Sequence, residues 1–290
     1  MAAIAPSFGL WLFAVSAGAS ALGGTLGMAS GIFIVPILTM FGGIDIRLAI
    51  PASLVSVIAC SCGGAAPFLR AGMTNIRLAV LLETATTFGA LCGVLLAGLV
   101  PVPALYLIFA VVLLVSAWQM LARRRAASPA APADGGTDWA SLLRLHATYP
   151  DREHRREVAY HVHRVPLGLG LMYGAGLLSA LLGIGSGVLK IPAMDTALRL
   201  PIKVSSATSN FMIGVTAVAS AVAYFARGEI DPAIAGPVAL GSVLGALLGA
   251  RMLMVLSGER LRLLFVVVLA ALAAQMLLAA FGIRLVGGGA

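Results

Sequence analysis

Long apolar segments separated by short polar intervals make up most of this chain. They cover roughly residues 8–44, 48–69, 78–100 and 103–122, and resume at roughly 165–198, 204–226, 232–256 and 261–283. Several runs reach the length of roughly eighteen apolar residues that a membrane-crossing helix needs, and they lack the alternation of a β-barrel strand. Because a helix satisfies its own backbone hydrogen bonds within a bilayer, the pattern predicts an all-α polytopic membrane protein.

The chain also contains an internal repeat. Aligned with itself at an offset of 156 residues, positions 22–121 match positions 178–277 without a gap, and 25 of these 100 pairs are identical. Chance alone would give roughly a tenth in so apolar a sequence. We therefore expect two homologous units of about four hydrophobic segments each, at 1–122 and 165–290, joined by a linker at 123–164.

The first segment of each unit is too long for one straight crossing. About 37 residues in a single helix would extend roughly 55 Å, against a hydrocarbon core of roughly 30 Å. Helix-breaking residues interrupt both segments, and they are Gly23, Gly24, Gly27, Gly31 and Pro36 in one unit and Gly183, Gly185, Gly187 and Pro192 in the other. Each segment is therefore either one interrupted crossing or a re-entrant pair of half-helices.

The distribution of positive charge favours the re-entrant alternative. With three crossings per unit the two units are inverted, and the side that carries the linker then holds 15 Lys and Arg residues against 3 on the other side. Cytoplasmic loops carry such an excess. Inverted repeats with broken helices are also a common plan for transporters. This arrangement places both termini in the periplasm and the linker in the cytoplasm.

Composition supports a multi-pass membrane protein. Hydrophobic residues make up 60% of the chain and charged residues 10%, which is outside the range of soluble proteins. The net charge of +8 follows from basic helix ends and the linker, so it does not indicate a nucleic-acid partner. The partners expected are the lipid bilayer and a small anionic substrate, and the sequence does not specify an oligomeric state.

All four histidines lie in the basic linker. Their spacing is irregular and no cysteine accompanies them, so we expect a solvated cytoplasmic loop rather than a metal site or pH sensor. The charged part at 139–164 has the composition of a short amphipathic helix.

The polar stretch at 181–210 is the candidate substrate site. A broken helix exposes backbone N–H groups and the positive end of its dipole, which together bind anions, and Ser30 and Ser186 are suitable N-cap residues at matching positions of the two units. Lys190 adds a cation within an apolar segment, where charge is costly, and its only nearby carboxylate in sequence is Asp195. Packing glycines and a snorkelling lysine are the alternatives. The full candidate set is Ser30, Gly31, Ser53, Gly183, Gly185, Ser186, Gly187, Lys190, Thr208, Ser209 and Asn210.

Glu83 is the second charge within an apolar segment. A carboxylate at that position can relay protons and so couple transport to a proton gradient. The alternative is an ion pair with an arginine such as Arg77. No catalytic triad, metal-spaced cluster or phosphate loop occurs in the apolar segments, so we expect neither an enzyme nor a cofactor nor a metal.

These residues resemble the TauE/SafE family of bacterial membrane permeases, also called the sulfite exporter family. The resemblance rests on GIGSG at 183–187, VLKIP at 188–192 and PIKVSSATSNFMIGVTAVASA at 201–221, and it extends over both units. It implies transport of sulfite, sulfonates or related sulfur-containing anions across the inner membrane. In the first unit Ala29 replaces a glycine and Leu54 stands where the second unit has Asn210.

The function expected is therefore a secondary transporter, an exporter by the resemblance, of a small sulfur-containing anion. Two alternatives belong to other classes: an anion channel, and a membrane assembly or scaffold protein without cargo. Saturable, gradient-driven counterflow separates the transporter from both.

Overall fold

The computed structural model describes residues 6–26, 29–122, 139–151, 156–252 and 258–282. These ranges contain eleven α-helices and one β-hairpin. The first unit holds α1 (Pro6–Leu26), α2 (Gly31–Met40), α3 (Ile46–Arg70), α4 (Ile76–Ala97) and α5 (Val102–Ala122). The linker holds α6 (Trp139–Leu142), β1 (Ala147–Asp151) and β2 (Arg156–Tyr160). The second unit holds α7 (Val165–Leu182), α8 (Gly187–Thr196), α9 (Ile202–Ala226), α10 (Pro232–Met252) and α11 (Gly258–Ala280).

Six of these helices, α1, α3, α4, α5, α7 and α9, contain stretches long and apolar enough to cross a membrane. Shorter apolar stretches lie in α2, α10 and α11. The prediction of an all-α polytopic membrane protein is confirmed. At the 156-residue offset, α2 falls on α8 and α3 falls on α9 with the same first and last positions.

The first segment of each unit is broken near its later glycines and not at its proline, and the expectation of a break at Gly23 and Gly24 is wrong because both lie inside α1. α1 ends at Leu26 and α2 begins at Gly31, while α7 ends at Leu182 and α8 begins at Gly187. Gly183 and Gly185 have φ of +67° and +66°, which glycine adopts without strain. Pro36 and Pro192 lie inside α2 and α8. The expectation of a break at these prolines is wrong, because each helix has already restarted and a proline in its second turn removes one backbone hydrogen bond without ending it.

Each broken segment folds back on itself. His163, just before α7, donates its backbone N–H to the carbonyl of Leu198, just after α8, at 3.2 Å. In the first unit, a Cβ added at Gly42, just after α2, would lie 3.0 Å from the Trp11 ring on α1. The two ends of each segment therefore lie on the same side, as a re-entrant hairpin requires.

The two units interlock through equivalent helices. α1 packs along α10 and α4 packs along α7, while α3 packs on α9 and α5 on α11. Arg47 at the start of α3 lines the same cavity as Arg227 just after α9, and Asn75 just after α3 bonds Thr208 near the start of α9. α3 and α9 are therefore antiparallel. These are contacts that inverted repeats require, and the arrangement of the units in the bilayer stays a prediction.

The linker contains a β-hairpin that the sequence analysis did not predict. The amphipathic helix expected within 139–164 is a single turn, α6, and β1 pairs with β2 in an antiparallel register from Ala147 opposite Tyr160 to Asp151 opposite Arg156. The Asn75 side-chain amide donates to the Leu145 carbonyl and to the Tyr160 hydroxyl, both at 2.9 Å. The hairpin thus covers the end of the molecule where α3 ends and α9 begins.

Candidate functional site

The tips of the two re-entrant hairpins touch at the centre of the protein. A Cβ added at Gly31 would lie 2.1 Å from the Gly183 carbonyl oxygen, and one at Gly185 would lie 2.2 Å from the Ala29 Cβ. Such distances are far inside van der Waals contact, so only glycine fits at these positions. The sequence prediction placed an anion between the two tips, but residues 29–31 and 183–185 leave no gap for one in this conformation.

Ser53 joins α3 to the tip of the second hairpin. Its hydroxyl lies 2.7 Å from the Gly183 carbonyl oxygen and 2.7 Å from the Ile50 carbonyl oxygen, and it can donate to either. Gly183 is the left-handed C-cap of α7. The bond satisfies one of the carbonyls that a helix C-terminus otherwise leaves unpaired.

The hydroxyl of Ser30 takes part in a buried chain of serines. It lies 2.7 Å from the Ser56 hydroxyl on α3, which also bonds Ser242 on α10 and lies 3.4 Å from Ser20 on α1. All four side chains are fully buried. This chain links four helices from both units around the first hairpin tip, and the sequence analysis did not identify Ser20, Ser56 or Ser242.

The N-cap positions of Ser30 and Ser186 were predicted correctly, but their capping hydrogen bonds are absent. Neither hydroxyl bonds the first turn of its helix, α2 or α8. Ser30 has φ −61° and ψ −25°, which is already helical, whereas a capping side chain needs an extended backbone to reach back. The expectation of side-chain capping is therefore wrong.

Lys190 is fully buried and forms an ion pair with Glu83. Its Nζ lies 3.2 Å from Glu83 Oε2 and donates to the Thr216 hydroxyl at 2.6 Å. The Thr216 hydroxyl in turn bonds Glu83 Oε1, which closes a triangle of groups from α4, α8 and α9. The interpretation that Lys190 has no carboxylate neighbour except Asp195 is wrong, because α4 brings Glu83 to it from 107 residues away.

The ion pair also decides two alternatives that the sequence left open. Lys190 does not snorkel, since none of its surface is exposed. Glu83 pairs with Lys190, while Arg77 is exposed, so the alternative of a Glu83–Arg77 pair is wrong. At the position that matches Lys190 the first unit has Ile34, and at the position that matches Glu83 the second unit has Ala239. The pair therefore joins the two units and has no counterpart related by the repeat.

Four buried polar groups near the second hairpin have no hydrogen-bond partner in the protein. They are the hydroxyls of Ser186, Ser205 and Ser209 and the side-chain nitrogen of Asn210. Ser186 precedes α8 and the others lie in the first half of α9, which packs against α8. A buried polar group without a partner costs about 1–3 kcal/mol, so these positions favour occupation by a ligand or by water.

Thr208 does not join this group. Its hydroxyl accepts a hydrogen bond from the backbone N–H of Asn75 at 3.2 Å, at the end of the molecule covered by the linker. Asn75 is the N-cap of α4 and its side chain accepts from Leu78 N–H. Thr208 therefore holds the start of α4 against α9.

Glu83 also faces an apolar cavity of about 450 Å³. Helices α4 and α9 line it with residues that include Val80, Phe88, Phe211 and Val215. The Glu83 side chain is 10% exposed, whereas Lys190 is 0% exposed. A small molecule in this cavity would therefore reach the ion pair through its carboxylate.

The arrangement combines one buried ammonium group, one carboxylate and several unpaired hydroxyl and amide groups. Among the described residues there is no cluster of three His, Cys, Asp or Glu side chains that would hold a metal ion. Lys190 uses two of its three N–H groups in the bonds described above, so one donor remains.

Comparison with known proteins shows which family this is. The family model described as "Sulfite exporter TauE/SafE" matches residues 12–276, which is most of the chain. The chain belongs to the sulfite exporter TauE/SafE family. This confirms the resemblance drawn from GIGSG at 183–187 and the segments that follow it.

Curated relatives of this TauE/SafE protein are membrane transporters by name. It is 25% identical over 228 residues to the probable membrane transporter protein YdhB of Bacillus subtilis (strain 168), covering 79% of this chain and 83% of the relative. It is 23% identical over 239 residues to the probable membrane transporter protein YunE of the same organism, covering 80% and 84%. No solved structure matches it significantly. The protein is therefore a multi-pass membrane transporter.

Proposed function

We propose that this protein is a secondary transporter of a small anion, with sulfite, organosulfonates and related sulfur-containing anions as the substrate class. The observation that carries the proposal is the set of unpaired donors beside a buried ion pair. Ser186, Ser209 and Asn210 lie on the two elements that also position Lys190, and they offer hydrogen bonds that no protein group accepts. An oxyanion accepts several hydrogen bonds at once, so it matches this set.

The sulfur class rests on the family description. Sulfite and sulfonates share a compact group of three oxygens on one sulfur atom, which suits a few convergent donors and one cation. The backbone N–H groups at the start of α8, at Gly187, add the positive end of a helix dipole.

Glu83 gives this site a means of coupling to protons. The carboxylate and a bound anion compete for Lys190, because both need the same ammonium group. When an anion displaces Glu83, the ammonium group balances the anion, and the freed carboxylate is left as a buried charge without a partner. We therefore propose that the anion binds together with a proton, which leaves the buried site neutral.

Passage of the anion requires the hairpin tips to separate. Gly31, Gly183 and Gly185 hold the two tips in direct contact in the present conformation. Ser30 lies at the tip of the first hairpin, and Ser53 of α3 bonds the tip of the second. Movement of one hairpin against the other would expose the site alternately to each side of the membrane. The contact between the tips favours an alternating carrier over a permanently open channel.

A binding screen tests the proposal. Purified protein is heated with sulfite, sulfate, thiosulfate, taurine and sulfoacetate, because a ligand that binds the folded state raises its apparent stability. We expect at least one of these anions to raise the melting temperature of the wild type and not that of the Lys190→Ile/Glu83→Ala variant. Equal responses of both proteins to every anion would contradict the site.

A further inference from the structure

A second cavity lies where α3 begins and α9 ends, at the end of the molecule opposite the linker hairpin. Its volume is about 490 Å³, and the side chains that line it include Arg47, Arg227, Glu229 and Tyr224. Two guanidinium groups against one carboxylate leave a net charge of +1 among these residues. We call this cavity the arginine vestibule.

The two arginines donate to carbonyls in the last turn of α4 and just after that helix. Arg47 Nη2 donates to the Val100 carbonyl at 3.3 Å, and Arg227 Nη1 donates to the Val94 carbonyl at 2.7 Å. Arg227 Nε also pairs with Glu229 Oε1 at 2.6 Å. A guanidinium has five N–H donors, so each arginine keeps donors beyond those that cap the helix.

The floor of the vestibule leads to the proposed substrate site. Tyr224 is buried, and its hydroxyl donates to the Ala180 carbonyl in the last turn of α7 at 3.0 Å. Ile50 also lines the vestibule, and a Cβ added at Gly183 would lie 2.7 Å from the Ile50 carbonyl oxygen. Tyr224 and Ile50 thus line the vestibule and also contact the second hairpin at Ala180 and Gly183.

The two ends of the protein differ in access. Leu48 lines the vestibule and is 41% exposed, whereas Val204, its counterpart in the second unit, is fully buried in a cluster with Leu145 and Tyr160 of the linker. The end with the arginines is therefore open while the linker covers the other end.

From these observations we propose that the arginine vestibule is an outer binding site for small anions, which concentrates them ahead of the central site. The proposal deepens the anion transport proposed above and rests on it for the identity of the anion. The excess of positive charge among these residues favours anions over cations in the cavity.

The test uses charged thiol reagents on purified protein. Leu48→Cys is placed in a background without the three native cysteines, and its modification by an anionic methanethiosulfonate is compared with that by a cationic one. We expect Arg47→Gln to lower the anionic-to-cationic rate ratio about threefold. A unit charge roughly 7 Å from the thiol in water, with its interaction energy halved by salt, attracts the anionic reagent and repels the cationic one by equal amounts, and the two effects multiply in the ratio. Arg47→Lys should keep the ratio, since it keeps the charge, and Arg77→Gln at the other end should not change it.

Binding itself is measured by protection. Inorganic sulfate should slow modification of Leu48→Cys by the anionic reagent more than chloride of equal ionic strength does, and Arg47→Gln should remove that difference. A rate ratio that is the same in Arg47→Gln and wild type, or no protection by sulfate, would overturn the vestibule. These measurements do not depend on transport. If the binding screen fails but Arg47→Gln still lowers the anionic-to-cationic rate ratio, the central site is wrong and the vestibule is not.

Discussion

The ion pair between Lys190 and Glu83 predicts an unusual order of stabilities among three variants. Lys190→Ile and Glu83→Ala each introduce the residue that the other unit has at the matching position, Ile34 for Lys190 and Ala239 for Glu83. The double variant therefore replaces both charges with apolar residues that the chain already carries at the equivalent positions.

The magnitudes follow from burial. Removing one partner of a buried ion pair costs about 3–5 kcal/mol, because it leaves an uncompensated charge, whereas replacing both partners by apolar groups is often neutral or stabilising. Lys190 is 0% exposed and Glu83 is 10% exposed beside the 450 Å³ cavity. A lone Glu83 is less completely buried than a lone Lys190, so Lys190→Ile should fall near the lower end of that range and Glu83→Ala near the upper end.

Thermal unfolding in one detergent measures the order. We expect the double variant to melt near the wild type, Lys190→Ile below it, and Glu83→Ala lowest. Lys190→Ile and the double variant should lose anion binding because they lack the cation, whereas Glu83→Ala should keep it, since it removes only the competing carboxylate. The reasoning would be refuted by a Glu83→Ala protein as stable as the wild type, or by a double variant less stable than both single variants.

Three further predictions concern the hairpin tips, proton coupling and the linker. Gly31→Ala should destabilise the protein by about 1–3 kcal/mol, because the added methyl group would clash with the Gly183 carbonyl. The control Gly174→Ala should not, since no atom lies within 4 Å of its added Cβ. Equal melting temperatures of the two variants would contradict the contact between the tips. Anion binding should take up about one proton and strengthen as pH falls, and calorimetry in buffers of different ionisation enthalpy should find no uptake in Glu83→Gln. Uptake that persists in that variant would place the proton elsewhere. Reporter fusions within 123–164 should report a cytoplasmic location, and a periplasmic signal would reject the predicted topology.

The sequence was sufficient to predict the helices and the places where they break. Glycines at 183–187 act locally, through backbone conformations that other residues avoid, so their effect can be read from neighbouring positions. The prolines misled the prediction because proline disrupts the interior of a long helix, whereas Pro36 and Pro192 lie near the start of α2 and α8 and remove only one backbone hydrogen bond each. The 156-residue repeat adds a second indication of a helix break, because residues 27–31 match residues 183–187.

The partners of the polar side chains could not be predicted in the same way. Glu83 and Lys190 are 107 residues apart, and their contact depends on α4, α8 and α9 meeting. One signal could have found the pair: they have opposite charge, and both lie in apolar segments at positions where the other unit is apolar. Charges within a membrane usually pair with one another.

The linker hairpin was missed for a different reason. Strands of five residues carry too few positions for their alternation to be distinguished from that of a charged loop. Their position is set by contacts with the transmembrane part, through Tyr160 and Asn75, which no local pattern encodes. Burial raises the pKa of Tyr160, as expected for a phenol held against the protein rather than in solvent.

Counterflow in proteoliposomes tests the central claim most directly. Vesicles that contain the purified protein are loaded with an unlabelled anion identified in the binding screen and diluted into a trace of the same anion labelled with radioactive sulfur. An alternating carrier predicts transient accumulation of label above equilibrium, saturable with the unlabelled anion and absent with the Lys190→Ile/Glu83→Ala protein. Equilibration of label without an overshoot, or equal flux through both proteins, would contradict the account.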